Sequence, residues 1–408
     1  MGNKRKYIFL INTVGGSAGG QLYLSAKIDW LQKEGYDVEV LYFDPTPITI
    51  ENLKPFENGY VRNLEFRFAL MSPKDRRETF EKVSTDWNIY NEIIIESFSI
   101  EMSLWGEYFA SQCRGKHICY FLCETYPSNI TPSIREFLEF KLNQGLLYGI
   151  TPKSIPSIFP EADGDETTLL AHGCVREAED LPLPGGLKLK EDAFTVLSIG
   201  RLEKPYIPEL WEEVKHFAES TGINVNFIIV GSTKQRRIYK RLHSITETSP
   251  HLNAMYLGEV FPMPKKIFEI SDVFAGCAGS ARMAQKQGIP VISVDANDHK
   301  AIGILGETTD SALYRKEHEA PLPLNQLLKV IYNERDRRRE ERKNYKTEKT
   351  KFDFSRHKEV IEKQFKKEYY PVDKVRNGKL FTFVYGSIKK IGGNNLLYAV
   401  KKLKQHLS

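Results

Sequence analysis

Short strand-type runs that each stop at a glycine dominate one half of this chain. FTVLSI (Phe194–Ile199) ends at Gly200, and VNFIIV (Val225–Val230) ends at Gly231. Residues 254–257 are followed by Gly258, and residues 272–275 by Gly276. Between them lie segments that predict helices: 211–220, a basic one at 234–246, 264–270, and a short one at 281–287 capped by Gly288. Residues 290–294 predict a further strand ending at Asp295. Strands alternating with helices require a parallel sheet with helices on its faces.

The same alternation opens the chain. Residues 6–12 predict a buried strand, the glycines at 15, 16, 19 and 20 a loop, residues 21–34 a helix closed by Gly35, and residues 37–43 a second strand. Gly15, Gly16, Gly19 and Gly20 lack the G-x-G-x-x-G dinucleotide spacing. Further strands are expected at 92–96, 117–123, 146–150 and 168–171, with helices at 102–111 and 151–159. Residues 182–190 (PLPGGLKLK) read as a linker. A charged helix is expected over 323–345 and another over 352–369. The 408 residues exceed one core. The expected fold class is α/β, with two Rossmann-like domains facing across a cleft. They span residues 1–185 and 191–345, and residues 346–408 add helices and a basic tail that pack back on the first domain.

Composition narrows the function. A hydrophobic content of 41% and a charged content of 27% are ordinary for a globular protein. No run of eighteen apolar residues is present, so no helix is expected to span a membrane. The basic-then-apolar start reads as a strand, and the five cysteines as reduced thiols of a cytoplasmic protein. Residues 371–408 carry eight Lys or Arg against Asp373, a charge of +7, which leaves −2 on the rest. That distribution argues against nucleic acid and for a local contact. Leu396, Leu397, Val400, Leu403 and Leu407 form one stripe amid Lys401, Lys402 and Lys404. This stripe suits either packing on the body or a peripheral position on the anionic inner face of a membrane.

Arg201 and Lys204 follow the strand of residues 194–199, where ligands meet an open α/β sheet. A forked guanidinium and an ammonium suit a diphosphate; the alternative is two surface cations beside the next helix. Glu96 and Glu124 both end apolar strands and are candidates for a catalytic base, against a salt bridge or helix cap. His172 lies in a turn near the domain boundary. His117 begins a strand and reads as structural. Asp295, Asp298 and His299 are weaker candidates for a sugar contact.

Five stretches in order carry a resemblance: VGGSAGGQLYLSAKIDWLQKEGYDVEVLYFD (14–44), LLYGITPKSI (146–155), LLAHGCV (169–175), FTVLSIGRLEK (194–204) and DVFAGCAGSARMAQKQGIPVISVD (272–295). Together they resemble the GT-B glycosyltransferases of the family 4 type over roughly residues 7 to 370. The resemblance implies transfer of a sugar from a UDP- or GDP-sugar to a glycan or lipid-linked acceptor in surface polysaccharide synthesis, with no essential metal. Arg201 and Lys204 would neutralise the diphosphate, and Gly231, Gly258 and Val260 would lie by the nucleoside. Gly15, Gly16, Gly19 and Gly20 would line the acceptor side.

The family's two donor-loop glutamates are missing. Ala278-Gly279-Ser280 stands there, so Gly279 and Ser280 would meet the diphosphate through free N–H groups and the helix dipole. Ser280 is otherwise a helix cap. The missing pair keeps open a non-catalytic partner protein, and the shared fold keeps open a sugar-nucleotide epimerase.

Overall fold

The computed structural model describes residues 4–375 except 124–129, 170–177, 205, 232, 234–235, 247–248 and 346–352. The chain divides into two compact units, Met1–Cys174 with Phe352–Ser408, and Val175–Lys351.

The first unit runs β1 (Arg5–Leu10), α1 (Gly19–Lys33), β2 (Tyr36–Leu41), α2 (Pro73–Val83), β3 (Glu92–Ser97), α3 (Ile100–Cys113), β4 (Lys116–Phe121), α4 (Pro132–Asn143) and β5 (Leu147–Gly149). All pairings are parallel, in the order β2-β1-β3-β4-β5. Residues 7–10 of β1 are apolar and fully buried, the pattern of a parallel strand covered on both faces. Trp87, Trp105, Phe109, Phe121 and Phe137 fill the core, each side chain contributing about 1.5–3 kcal/mol.

The second unit runs β6 (Phe194–Ile199), α5 (Tyr206–Thr221), β7 (Val225–Val230), α6 (Arg236–Thr246), β8 (Leu252–Tyr256), α7 (Lys265–Glu269), β9 (Val273–Gly276), α8 (Ala278–Lys286), β10 (Val291–Val294), β11 (Ala301–Ile304), α9 (Leu324–Asn333) and α10 (Arg335–Lys343). The order is β11-β10-β9-β6-β7-β8, parallel except for the antiparallel β10–β11 pair. The chain then returns to the first unit with α11 (Ser355–Glu362).

Several local expectations change. Residues 151–159 form turns instead of a helix. Pro156 has no N–H to donate, and Ser154 Oγ takes the Thr151 N–H and donates to Cys123 O. Of the strand expected at 168–171, Thr168 makes a single bridge to Gly149, and 170–171 lie outside the described residues. The helix expected over 323–345 is broken at Glu334 into α9 and α10. The one expected over 352–369 shortens to α11, because Lys363 turns extended. Residues 182–190 are tied to the second unit: Lys190 exchanges two hydrogen bonds with Asn226, and Asn253 Nδ2 donates to Lys188 O.

The charged helix α10 is anchored more firmly than a solvated face. Arg339 Nε meets the buried Asp272 carboxylate at 2.7 Å, and Asp272 also accepts the Thr195 N–H. Arg335 and Arg342 donate to the carbonyls of Ala193 and Ser271.

The returning segment is fixed to the first unit by buried charge. Lys116 Nζ donates to the Val360, Ile361 and Lys363 carbonyls at 2.6–2.8 Å, where the end of α11 is negative. Burial lowers its pKa to about 8. Trp30 stacks on Phe354 at 5.1 Å.

Candidate functional site

In the second sheet β6 is the first strand in the chain but lies inside the sheet, with β7 on one side and β9 on the other. The connections leave β6 in one direction and come back on its other flank. A crevice opens at the carboxyl ends of the strands at such a reversal, and ligands of open α/β sheets bind there. The sequence places its glycines on this edge: Gly276, Gly200, Gly231 and Gly258 follow or end four neighbouring strands. Gly231 is obligatory. Its φ is +148°, and a Cβ there would lie 1.8 Å from Gly200 O. Its N–H donates to Gly258 O at 2.7 Å, which ties the ends of β7 and β8 together. Val260, two residues on, is half-buried against the core.

Arg201 and Lys204 occupy the turn leaving β6. The Lys204 N–H donates to Arg201 O, and the Ile207 N–H to Lys204 O, which leads the chain into α5. The Arg201 side chain is 63% exposed, and its guanidinium stands 3.5 Å from Glu203. The half-buried Lys204 ammonium lies 5.7 Å from the centre of the Tyr206 ring. Neither cation is consumed by a buried partner.

Across the reversal, β9 runs into α8. Val196 pairs with Val273 and Leu197 with Phe274, so in this register Gly200 comes level with Cys277. Cys277 is the extended N-cap residue and gives no side-chain cap. Ala278 follows at φ +58°, a left-handed conformation that costs roughly 1–2 kcal/mol in a residue with a Cβ. Its N–H is taken by Ala312 O at 2.6 Å. Left-handed Ala278 turns the chain into α8, whose start at Gly279 and Ser280 has no side-chain cap, an end of a helix that favours anions. Gly279 is exposed, and a Cβ on it would meet nothing within 4 Å. Ser280 is not the cap: its Oγ donates back to Cys277 O at 3.0 Å. The first turn of α8 holds no acidic residue, so its positive end is uncompensated.

Two features of this edge escaped the sequence reading. Ser198, 1% exposed, has an Oγ without a partner among the described residues, beside Gly276. Its signal was visible as the one serine in FTVLSIG. The strain at Ala278 left no signal, because alanine seldom takes that conformation.

No protein-family model and no curated protein sequence matches the chain. Solved structures do. A glycosyltransferase from Rickettsia africae aligns with TM-score 0.55 at 12% identity, over 88% of this chain and 98% of its own. Sucrose-phosphate synthase from Thermosynechococcus elongatus aligns with TM-score 0.55 at 14%, over 84% and 93%. Anabaena Alr3699/HepE, solved with UDP and glucose, aligns with TM-score 0.50 at 13%, over 83% and 92%. The fold is that of the GT-B glycosyltransferases.

The other GT-B candidates fall out as follows. In the first unit β1 is again flanked on both sides, by β2 and β3, and the glycine loop lies at its carboxyl end. Gly15 packs on loop backbone, since its Cβ would lie 2.0 Å from Thr46 O, and the Gly16 N–H donates to Pro47 O. These two hold the loop after β2. Gly19 is open, and Gly20 has Leu122 Cδ1 3.2 Å from its would-be Cβ; both start α1, which has no side-chain cap.

Glu96 must be corrected as a candidate base. It is fully buried, bonded to Tyr7, to Tyr23 at 3.0 Å, and to Lys27 in a salt bridge. A carboxylate locked in this way reaches no acceptor. His117 is likewise enclosed, 2.8 Å from Glu107 and 2.9 Å from Ser97 Oγ. Glu124 and His172 lie outside the described residues.

Asp295 accepts the N–H groups of Asn297 and Arg315, and Asp298 binds the Arg315 guanidinium through both oxygens at 2.6 and 2.9 Å. Both shape their loop. A cavity of about 670 Å³, lined by Glu92, Gln112, Arg114 and Lys116 among others, sits at the amino edge of the first sheet, away from the glycine loop. Among the described residues no group of three His, Cys, Asp or Glu could hold a metal ion.

Proposed function

We propose that the chain is a glycosyltransferase that moves a sugar from a UDP- or GDP-sugar to a glycan or lipid-linked acceptor in surface polysaccharide synthesis, at the inner face of a membrane. One observation carries the reading. Two cations on the turn after β6, Lys204 and an Arg201 held only by an exposed contact to Glu203, stand across the strand reversal from the N-terminus of α8, which has no side-chain cap. A diphosphate needs charge neutralisation from both, and a leaving diphosphate gains more from it than a bound one does. HepE, which shares the fold, is solved with UDP and glucose.

In the transfer, the acceptor hydroxyl oxygen forms a bond to the anomeric carbon as the bond from that carbon to the diphosphate oxygen breaks. The hydroxyl proton passes to a base, for which Glu124 and His172 stand as candidates. The nucleoside diphosphate departs with its new charge held by Arg201, Lys204 and the N–H groups around Gly279. Gly231, Gly258 and Val260 flank the nucleoside, and the open helix start at Gly19 and Gly20 serves the acceptor. No part of this scheme requires a metal, since the cations carry the phosphate charge.

Donor hydrolysis and transfer, followed with UDP- and GDP-sugars, test the reading. Release of nucleoside diphosphate that Glu124→Gln or His172→Ala reduces by about 100-fold or more supports it. Conversion of UDP-GlcNAc to its epimer without acceptor would assign the site to an epimerase. Diphosphate binding with no turnover of any donor would make the chain a non-catalytic partner.

A further inference from the structure

We infer that α6 is a contact surface for anionic lipid headgroups. The helix, RRIYKRLHSIT, seats Leu242, 2% exposed, and the half-buried Ile238 on the core. Arg237, Lys240 and Arg241 are exposed on the outside, with Tyr239, 44% exposed, between them and resting edge-on against Tyr256 at 5.4 Å. The first turn has two arginines and no acid, the wrong sign for the positive end of a helix dipole.

The contrast with α10 shows that this charge is left open. In α10, Arg337 meets Glu341, Arg338 meets Glu307, Arg339 meets Asp272 and Lys343 meets Glu340. Arg237, Lys240 and Arg241 have no ion pair within 4.0 Å among the described residues, and Arg241 shares a cavity wall with Glu209, Glu212 and Glu213. A stripe of cations that repels its own helix end and has no ion pair among the described residues is complementary to an external anionic surface. The exposed tyrosine selects the kind of surface: an amphipathic ring suits the boundary between headgroups and acyl chains. A second basic stretch, Lys401, Lys402 and Lys404 among leucines, has the same chemistry in the sequence. The inference stands apart from the donor-site reading, because vesicle binding needs no turnover.

Co-sedimentation of the full chain with vesicles tests it. The vesicles are phosphatidylcholine alone, or phosphatidylcholine mixed with phosphatidylglycerol. The wild-type chain is expected on the mixed vesicles only, and less so in raised salt. Replacing Arg237, Lys240 and Arg241 together by Gln should weaken partitioning about 100-fold, the conversion of roughly 1 kcal/mol per cation. Its thermal midpoint should not fall. Lys240→Gln alone should weaken partitioning about 5-fold, which keeps the test open if the triple variant misfolds. The loss should persist in a full-length Lys401→Gln, Lys402→Gln, Lys404→Gln background. The inference is overturned by wild-type chain that ignores mixed vesicles, by variants that bind as well as wild type, by complete loss from the tail substitutions alone, or by preference for a single-stranded RNA at equal phosphate.

Discussion

Gly279 is the residue where ligand and fold make opposite demands. A side chain there meets open space and a carboxylate suits the first turn of a helix, so Gly279→Asp should fold with a thermal midpoint no lower than wild type. It would put a carboxylate at the positive end of α8, where the donor diphosphate is proposed to sit. Nucleoside diphosphate binding should fall at least 10-fold by calorimetry, and retained affinity would move the site elsewhere.

Glu96 gives the converse case. Glu96→Gln leaves Lys27 buried with no countercharge, which should cost about 3–5 kcal/mol of stability in a urea titration. Turnover per folded molecule should stay near wild type. A large loss of kcat with stability intact would restore Glu96 to the chemistry.

At the scale of elements, the edge of the second sheet depends on strand ends meeting closely. Gly231→Ala would force a Cβ against the Gly200 carbonyl at a positive φ. The expected penalty is about 3 kcal/mol or more, a fall of roughly 10 °C in thermal midpoint. Most of this edge was legible, because glycine after an apolar run marks both the stop of a strand and a close backbone approach. The place of Arg201 and Lys204 on the turn after β6 was legible for the same reason. What was not legible depended on pairing between distant segments. Asp272 turns arginines 335 and 339 into anchors, a match invisible in a run of charges. Glu96 looked like a strand-end base because its partners Tyr7, Tyr23 and Lys27 come from two other elements. The helices α2 and α4 were passed over, although Ser72 with Asp75 forms a capping box before α2 and a proline opens α4.

At the scale of the molecule, the first unit is stapled by the returning chain. The buried Glu107 accepts from Lys141 Nζ at 3.0 Å, pairs with His117, and takes the Tyr370 N–H at 2.8 Å. Burial alone would raise its pKa, but Lys141 and His117 overcome this and hold it at about 2. Its folded value lies below the usual 4.5, so this stabilisation is complete above pH about 4.5 and is lost as pH falls toward 2. Acid unfolding should therefore be steep in that window, and Glu107→Gln should flatten it while lowering stability at neutral pH. An unchanged profile in the variant would assign the acid sensitivity to other carboxylates.

The central claim is that the second unit grips a diphosphate, and the most direct measurement is a calorimetric comparison of UDP and GDP with uridine and guanosine. One diphosphate should bind at least 100-fold more tightly than its nucleoside, and Arg201→Ala should remove most of that margin while leaving nucleoside binding and thermal midpoint unchanged. Equal affinity for nucleoside and diphosphate, or a margin untouched by Arg201→Ala, would contradict the account.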